Sequence, residues 1–170
     1  MSGFPKLIPA FTALVPISPP TPLGPTARGG PLNHVTILPE QGSLVSDPSY
    51  PIRVDAVFVS GADFIRADPS GTHVRLQVDA LLRDGPTGAH IRLSYTGTIA
   101  TAGTGAGKVF AGASDAATTA FGDAFIHGTF ETGHPDLAAM QSKVYVGAGR
   151  FILEEGKPVV VEYKFSEVVA

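Results

Sequence analysis

The sequence predicts an all-β protein, an eight-stranded and mainly antiparallel up-and-down barrel with one short helical turn. Between Val54 and Ile99 lie three runs rich in Val, Ile, Phe and Tyr, separated by the short breaks DPSG and RDGPTG. Each break ends in a glycine, which suits a tight turn. The second and third runs alternate apolar and polar residues, as in a strand with one buried face. Further runs of the same kind bring the total to about eight strands, a number that favours closure into a barrel.

The N-terminal third is rich in proline, with 11 of the 15 prolines in residues 1–51. We expect an edge strand within residues 1–18, because an edge tolerates the missing amide donor of proline. Residues 19–31 predict a loop. Residues 33–45 predict a second strand with a bend at Pro39 and Gly42. The prolines that interrupt the first apolar run argue against a signal peptide or a spanning helix there.

The C-terminal half continues the strand pattern after one unusual stretch. Residues 101–122 consist mainly of Gly, Ala, Ser and Thr, and we expect them to form a flexible flap over one end of the barrel. A strand is predicted at 125–132, and the segment that starts at Pro135 supplies the predicted helical turn. The final strands, at 143–153 and 158–168, form a hairpin. We therefore expect residues 1–170 to be a single β-barrel domain.

Composition excludes several classes of function. The chain contains no cysteine, which rules out disulfides, thiolate nucleophiles and cysteine-ligated zinc, and which is typical of a cytoplasmic setting. The net charge is −3 and there is no run of Lys or Arg, so we expect no nucleic-acid partner and no membrane insertion. His127, Glu131 and His134 match no known ligand spacing. We expect neither a metal nor an organic cofactor.

Several short motifs occur in a characteristic order: GADF at 61–64, DPSGT at 68–72, YTG at 95–97, FETG at 130–133 and VGAGR at 146–150. Through these motifs the chain resembles a fungal branch of a family of small β-barrels known only as a domain of unknown function. The resemblance spans residues 54–168. It implies a lipocalin-like or allene-oxide-cyclase-like barrel, related to cofactor-free cyclases, isomerases and hetero-Diels–Alder catalysts of fungal secondary metabolism.

Asp63 is the first candidate catalytic residue, because it follows a predicted bulge, a feature that can re-aim a side chain beside a site. A carboxylate inside a barrel has a raised pKa and can serve as a general acid or base. The alternative is structural: Asp63 accepts backbone amide hydrogen bonds and fixes the bulge.

His127 and Glu131 are further candidates, since they share one face of the strand at 125–132. A histidine and a carboxylate on one wall could relay a proton or polarise a carbonyl group. The opposite face, with Ile126, Gly128 and Phe130, is equally suited to the interior. Periodicity alone leaves the choice open.

Tyr95 and Tyr163 are the polar-tipped members of two apolar faces that we expect to point inward. Their phenols could hold or protonate a ligand oxygen, or bond the backbone near the rim. Arg150, within the GAGR motif, is a candidate for the same site. The residues expected to contact a substrate are Phe58, Phe64, Phe130, Tyr145, Arg150 and Tyr163.

These observations lead to a hypothesis about function. The resemblance implies a cofactor-independent cyclase or isomerase, pericyclase-like and of the hetero-Diels–Alder kind, which acts on a hydrophobic natural-product intermediate in the barrel lumen. Asp63, Tyr95, His127 and Glu131 would be its catalytic residues, and restraint of the substrate would supply much of the rate. A second hypothesis is a non-catalytic, lipocalin-like protein that binds small molecules. A third is a filled structural barrel that assembles into a homo-oligomer.

Overall fold

The computed structural model describes residues 3–170, which form ten β-strands, one short α-helix and one 3₁₀ segment. The strands are β1 (Lys6–Ile17), β2 (Thr21–Thr26), β3 (Gly29–Thr36), β4 (Ser43–Ser46), β5 (Asp55–Ala67), β6 (His73–Asp84), β7 (His90–Ala100), β8 (Ala124–Glu131), β9 (Tyr145–Ile152) and β10 (Val159–Val169). Helix α1 spans Gly105–Phe110, and the 3₁₀ segment spans Pro135–Ser142. Neither helical segment within residues 3–170 has the length and apolar character needed to cross a bilayer.

Eight of the strands close into an antiparallel barrel, which confirms the predicted fold class. Around the ring the order is β1, β4, β5 and then β6 to β10, and β10 pairs with β1 to complete the circle. Strands β2 and β3 form an additional hairpin. Strand β3 pairs with the C-terminal half of β5 (Ala62–Arg66), whereas β4 pairs with the beginning of β5 (Asp55–Val57). One side of β5 thus carries two partners in succession.

The first two segments of the N-terminal third differ from the prediction. Strand β1 is not an edge strand, because it pairs with β10 along its length and with β4 at Phe11–Leu14. Pro9 and Pro16 are tolerated because they lie outside that doubly paired segment. Residues 19–31 contain β2 and the start of β3 rather than a loop. The prolines of β2 lie on a true sheet edge, where no amide is needed.

The predicted strand at 33–45 is in fact two strands, β3 and β4, separated at the expected bend. Glu40 has a positive φ of 57° there. A Cβ at Gly42 would lie 2.5 Å from the backbone oxygen of Leu14, so only glycine permits this approach of the chain to β1.

Residues 101–122, predicted as a structureless flap, contain α1 and are tied to the barrel. The hydroxyl of Thr104 caps the helix by accepting a hydrogen bond from the Gly107 amide at 3.0 Å. Thr119 Oγ1 accepts one from the Phe151 amide at 2.9 Å. A Cβ at Gly107 would lie 1.8 Å from the Thr101 carbonyl oxygen. Glycine at position 107 therefore allows the backbone of α1 to lie close to that of Thr101. The 3₁₀ segment confirms the predicted helical turn, and α1 adds a second helical element.

One end of the barrel, called here the closed end, is filled by aromatic side chains. The cluster comprises Phe11, Tyr50, Phe130, Tyr145 and Phe165, with neighbouring ring centroids 5.1 to 5.9 Å apart. The Tyr50 hydroxyl lies 2.8 Å from that of Tyr145 and donates to Glu167 Oε2 at 2.6 Å. Lys143 Nζ donates to the other oxygen of Glu167 at 2.6 Å. The buried polar groups of this end are therefore satisfied by one another.

Candidate active site

The opposite end of the barrel, called here the open end, contains a cavity of about 760 Å³. This volume suits a drug-sized molecule. Its walls are aliphatic and aromatic for the most part, with a small number of polar side chains. The lining residues that matter below are Val15, Asn33, Val35, Asp63, Ile65, Leu76, Tyr95, Ile99, Val109, Phe110, Phe151, Lys157, Val161 and Tyr163.

A β-bulge in β5 directs Asp63 into this cavity. The register between β5 and β6 changes between Phe58 and Ser60. Before the change Phe58 is buried, and after it the inward positions are odd-numbered, including Asp63 and Ile65. Side chains alternate between faces along a strand, so one extra residue reverses the assignment of everything that follows it. The predicted bulge is confirmed, and without it Asp63 would face solvent.

The Asp63 carboxyl group is held by one hydrogen bond on the wall of a largely apolar cavity. Its Oδ1 accepts a hydrogen bond from the Gln77 backbone amide at 3.0 Å. In the described part of the chain this is its one hydrogen bond. Burial raises the pKa of Asp63 to about 7, against the opposing effect of the Gln77 amide. Near neutral pH the group is therefore divided between its acid and its base form, as a general acid or base requires.

Two tyrosines share the cavity with Asp63. The rings of Tyr95 and Tyr163 are edge-to-face, with centroids 5.4 Å apart, and both line the cavity wall. Burial raises the pKa of Tyr95 well above its usual value, and the charges of Tyr163 and Asp63 raise it further. Burial and the charge of Asp63 likewise raise the pKa of Tyr163. Both phenols therefore remain neutral and can donate hydrogen bonds to a ligand oxygen.

The cavity wall includes elements whose contribution sequence analysis missed. Helix α1 supplies Val109 and Phe110, and the Phe110 ring lies edge-on to Phe151 at 5.7 Å. The β2–β3 hairpin supplies Asn33 and Val35. The apolar pair in GKVF was the available signal for α1, since Val and Phe are unusual within that run of small residues.

His127 and Glu131 lie on the outer face of the barrel, so they cannot reach the cavity. Both are exposed, whereas Ile126 and Phe130 on the alternate positions of β8 are buried. Glu131 forms a 2.6 Å ion pair with Arg92 on the barrel surface. The apolar side chains take the interior because burying them is favourable, and burying an unpaired charge is costly.

The residues predicted to contact a substrate lie partly outside the barrel and partly inside it. Phe64 is outside and 43% exposed, and its ring lies 5.2 Å from that of His34. Arg150 is outside as well, where its Nε donates to Glu162 at 2.5 Å and its guanidinium lies over the Phe121 ring.

Phe58, Phe130 and Tyr145 point inward but are buried in the packed core and do not line the cavity. Of the residues predicted from the sequence, Asp63, Tyr95 and Tyr163 are those that the structure brings together.

No group of three or more potential metal ligands (His, Cys, Asp, Glu) was found within residues 3–170. In this site the Asp63 carboxyl can donate, accept and return a proton. The two phenols can donate hydrogen bonds to a neutral oxygen atom of a ligand that lies against the apolar wall.

Comparisons with known proteins agree with this architecture. A family model described as "Protein of unknown function (DUF3237)" matches residues 5–168. Among curated proteins, none matches the chain. Two similar solved structures are a beta-barrel like protein from Acinetobacter baumannii AYE (20% identity, TM-score 0.72, 99% of this chain and 98% of that one) and a conserved protein of unknown function from Rhodopseudomonas palustris (17% identity, TM-score 0.73, 99% and 100%).

A third similar structure is described as an enzyme from Penicillium herquei. It is 12% identical, with a TM-score of 0.59 over 95% of this chain and 94% of that one. At identities this low, the three structures show a shared fold and nothing more.

Proposed function

The chain belongs to the family described as Protein of unknown function (DUF3237), and we propose that it is a cofactor-independent cyclase or isomerase. In this proposal it is pericyclase-like and acts on a hydrophobic natural-product intermediate held in the barrel lumen, as in the fungal, lipocalin-like or allene-oxide-cyclase-like branch that its motifs resemble. The observation that carries the proposal is the Asp63 carboxyl, with a pKa of about 7, on the wall of a largely apolar cavity that it shares with two phenols.

In an isomerisation, Asp63 would act as both acid and base. Its neutral form donates a proton to one substrate atom, and the resulting carboxylate removes a proton from a second substrate atom. The substrate and product have the same composition, and the enzyme returns to its starting state. Because the carboxyl pKa lies near neutrality, both halves of the exchange are accessible at physiological pH.

Tyr95 and Tyr163 would bind the substrate oxygen on which charge develops. A neutral phenol in an apolar cavity is a strong donor once the substrate has displaced water from it. In a pericyclic cyclisation no proton need be exchanged, and the same hydrogen bonds would polarise a carbonyl or related group of the substrate.

Restraint of the substrate by the cavity wall would supply the remaining rate acceleration. The wall around the polar groups is formed by branched aliphatic residues and by Phe110 and Phe151. Holding a flexible, unsaturated molecule close to its reactive conformation can remove several kcal/mol from a barrier. Helix α1, within the segment 101–122, would shield the reaction from water.

The structural neighbour from Penicillium herquei is described as an enzyme, which makes catalysis on this fold a reasonable expectation. The absence of cysteine agrees with the cytoplasmic setting that we propose for the reaction. His127 and Glu131 have no part in the mechanism, because they lie on the outer face.

A second candidate function is the stoichiometric binding of a lipophile without turnover. The hydrogen bond from the Gln77 amide to Asp63 favours it, because this contact gives the carboxylate a structural role in β5 and β6. As a third hypothesis, we propose that the barrel assembles into a homo-oligomer. A measurement of the mass of the protein in solution tests this hypothesis.

The two functions are separated by incubating the full chain with a panel of oxygenated, unsaturated isoprenoid and polyketide intermediates. Chromatography with mass detection would follow the appearance of an isomer of unchanged mass. We expect turnover in the wild type and a loss of roughly 100-fold or more in Asp63→Asn, the usual contribution of a general acid or base. Binding without an isomeric product would contradict the catalytic proposal, and unchanged turnover in Asp63→Asn would contradict the role of Asp63 as its acid and base.

A further inference from the structure

We infer that the cavity is selective for an uncharged lipophile with two oxygen functions, one bound by Asp63 and the two phenols and the second bound by the side-chain amide of Asn33. The inference rests on the proposed function in so far as it takes the cavity as the binding site. It adds the charge class of the ligand, the spacing of its polar groups and a specificity residue.

The distribution of charge around the cavity argues against an anionic ligand. The charged groups that line it are Asp63 and Lys157. The Lys157 side chain is 68% exposed and forms an ion pair with Glu154 at the rim. A carboxylate or phosphate near the phenols would therefore face Asp63 with no buried cation to compensate it, and such uncompensated burial is costly.

The hydrogen-bonding groups argue against a cationic ligand. An ammonium group can donate to Asp63 and to the phenol oxygens, but it leaves the phenol protons without an acceptor, and removing the cation and the carboxylate from water costs about as much as their attraction returns. The apolar wall also penalises a buried charge. A hydroxyl or carbonyl oxygen meets these requirements, since it accepts from a phenol, and a hydroxyl can in addition donate to the Asp63 carboxylate.

Asn33 is the second polar anchor. The register of β3 and β5 pairs Val35 with Asp63. Asn33 lies two residues along the same face, which is roughly 7 Å in the strand direction. Val35 and Ile37 occupy the neighbouring inward positions of this wall, and both are buried. Apolar packing alone would favour another aliphatic residue, not an asparagine, at this position of the wall.

The Asn33 amide is also available to a ligand. It lines the cavity, and its side chain makes no hydrogen bond to another residue in the portion of the chain that the structure describes. An amide both donates and accepts, so it suits a hydroxyl or a carbonyl group equally. A fused bicyclic ring system with an oxygen function at each end is therefore a suitable probe of the two anchors.

Isothermal titration calorimetry with matched naphthalene ligands tests the inference on the full chain. The ligands are a naphthol, the corresponding naphthoate, the corresponding naphthylmethylammonium and a naphthalenediol with hydroxyls at opposite ends of the bicycle. We expect the naphthol to bind on the order of tenfold more tightly than the naphthoate or the ammonium. The Asp63→Asn variant, which removes the repelling charge, should reduce the gap between naphthol and naphthoate to within about threefold.

The diol should bind roughly three- to tenfold more tightly than the naphthol, the gain from one further net hydrogen bond. Asn33→Leu should abolish this gain, and a melting temperature equal to that of the wild type shows that the variant is folded. Equal affinity for naphthol and naphthoate, a diol advantage that survives Asn33→Leu, or no binding of any of these ligands would overturn the inference. Selective binding without turnover of any substrate would contradict the proposed catalysis and leave the selectivity standing.

Discussion

Replacing Asp63 by asparagine should make the protein more stable at neutral and alkaline pH. Burial raises the pKa of this carboxyl from its usual 3.8 to about 7. Between those two values the folded chain binds more protons than the unfolded chain, so folding stability falls as the pH rises through this window. Each pKa unit corresponds to about 1.4 kcal/mol. The ionised carboxylate therefore costs the folded state about 4 kcal/mol above neutral pH.

Asparagine has nearly the same shape and can still accept the hydrogen bond from the Gln77 amide through its Oδ1. It carries no charge, so the cost disappears at every pH. For a chain of this length roughly 2–4 °C of melting temperature corresponds to each kcal/mol, and the variant should melt on the order of 10 °C higher at about pH 8. At about pH 4 the wild type and the variant should melt at similar temperatures.

Differential scanning calorimetry across this pH range measures the effect. The matched control is Asp79→Asn on the outer face, where the hydrogen bond from Arg92 lowers the carboxyl pKa. That variant should show an unchanged or slightly lower melting temperature near neutrality, because it loses an exposed ion pair. If Asp63→Asn melts no higher than the wild type at about pH 8, Asp63 is not buried with a raised pKa, and the reasoning about the site fails.

Three further predictions concern the other polar residues. Tyr95→Phe should lower turnover by roughly 10- to 100-fold, because one donor to the substrate oxygen is lost, and an unchanged melting temperature would separate this loss from misfolding. His127→Ala and Glu131→Ala should leave turnover within about twofold of the wild type in steady-state assays, because surface groups far from the reacting atoms do not contribute to the barrier. Tyr50→Phe should lower the free energy of unfolding by roughly 1–3 kcal/mol in urea titrations, because Glu167 loses a buried hydrogen bond, while turnover stays unchanged.

The barrel could be predicted from the sequence because each of its central strands alternates in a simple way. In β6, Val74, Leu76, Val78, Ala80 and Leu82 are buried in an unbroken series. The N-terminal strands could not be predicted as well, since their prolines obscure the alternation and their partners lie far along the chain. The pairing of β1 with β10, for example, joins Lys6 to Val169.

The candidate site was predictable where a local feature identified the inward face. The sequence predicted a bulge before Asp63, and the bulge in β5 between Phe58 and Ser60 brings Asp63 inside. The same bulge explains the misplacement of Phe64: Phe58 and Phe64 share a parity, but the register changes between them. Asp63 and Phe64 are adjacent, and in a regular strand adjacent side chains point to opposite faces. Which face of β8 points inward could not be predicted from β8 alone. Gly128 lies on the inward face because it makes room for Phe165 of β10, whose Cε1 would lie 3.0 Å from a Cβ at position 128.

The β2–β3 hairpin forms part of the cavity wall, yet the ring of eight strands closes without it. Changes of length or composition in this hairpin can therefore alter what the cavity admits while the ring keeps its own hydrogen bonds. A chain built in this way separates the part that provides stability from the part that provides selectivity. Exchanging the hairpin between relatives should then transfer ligand preference on a scaffold that still folds.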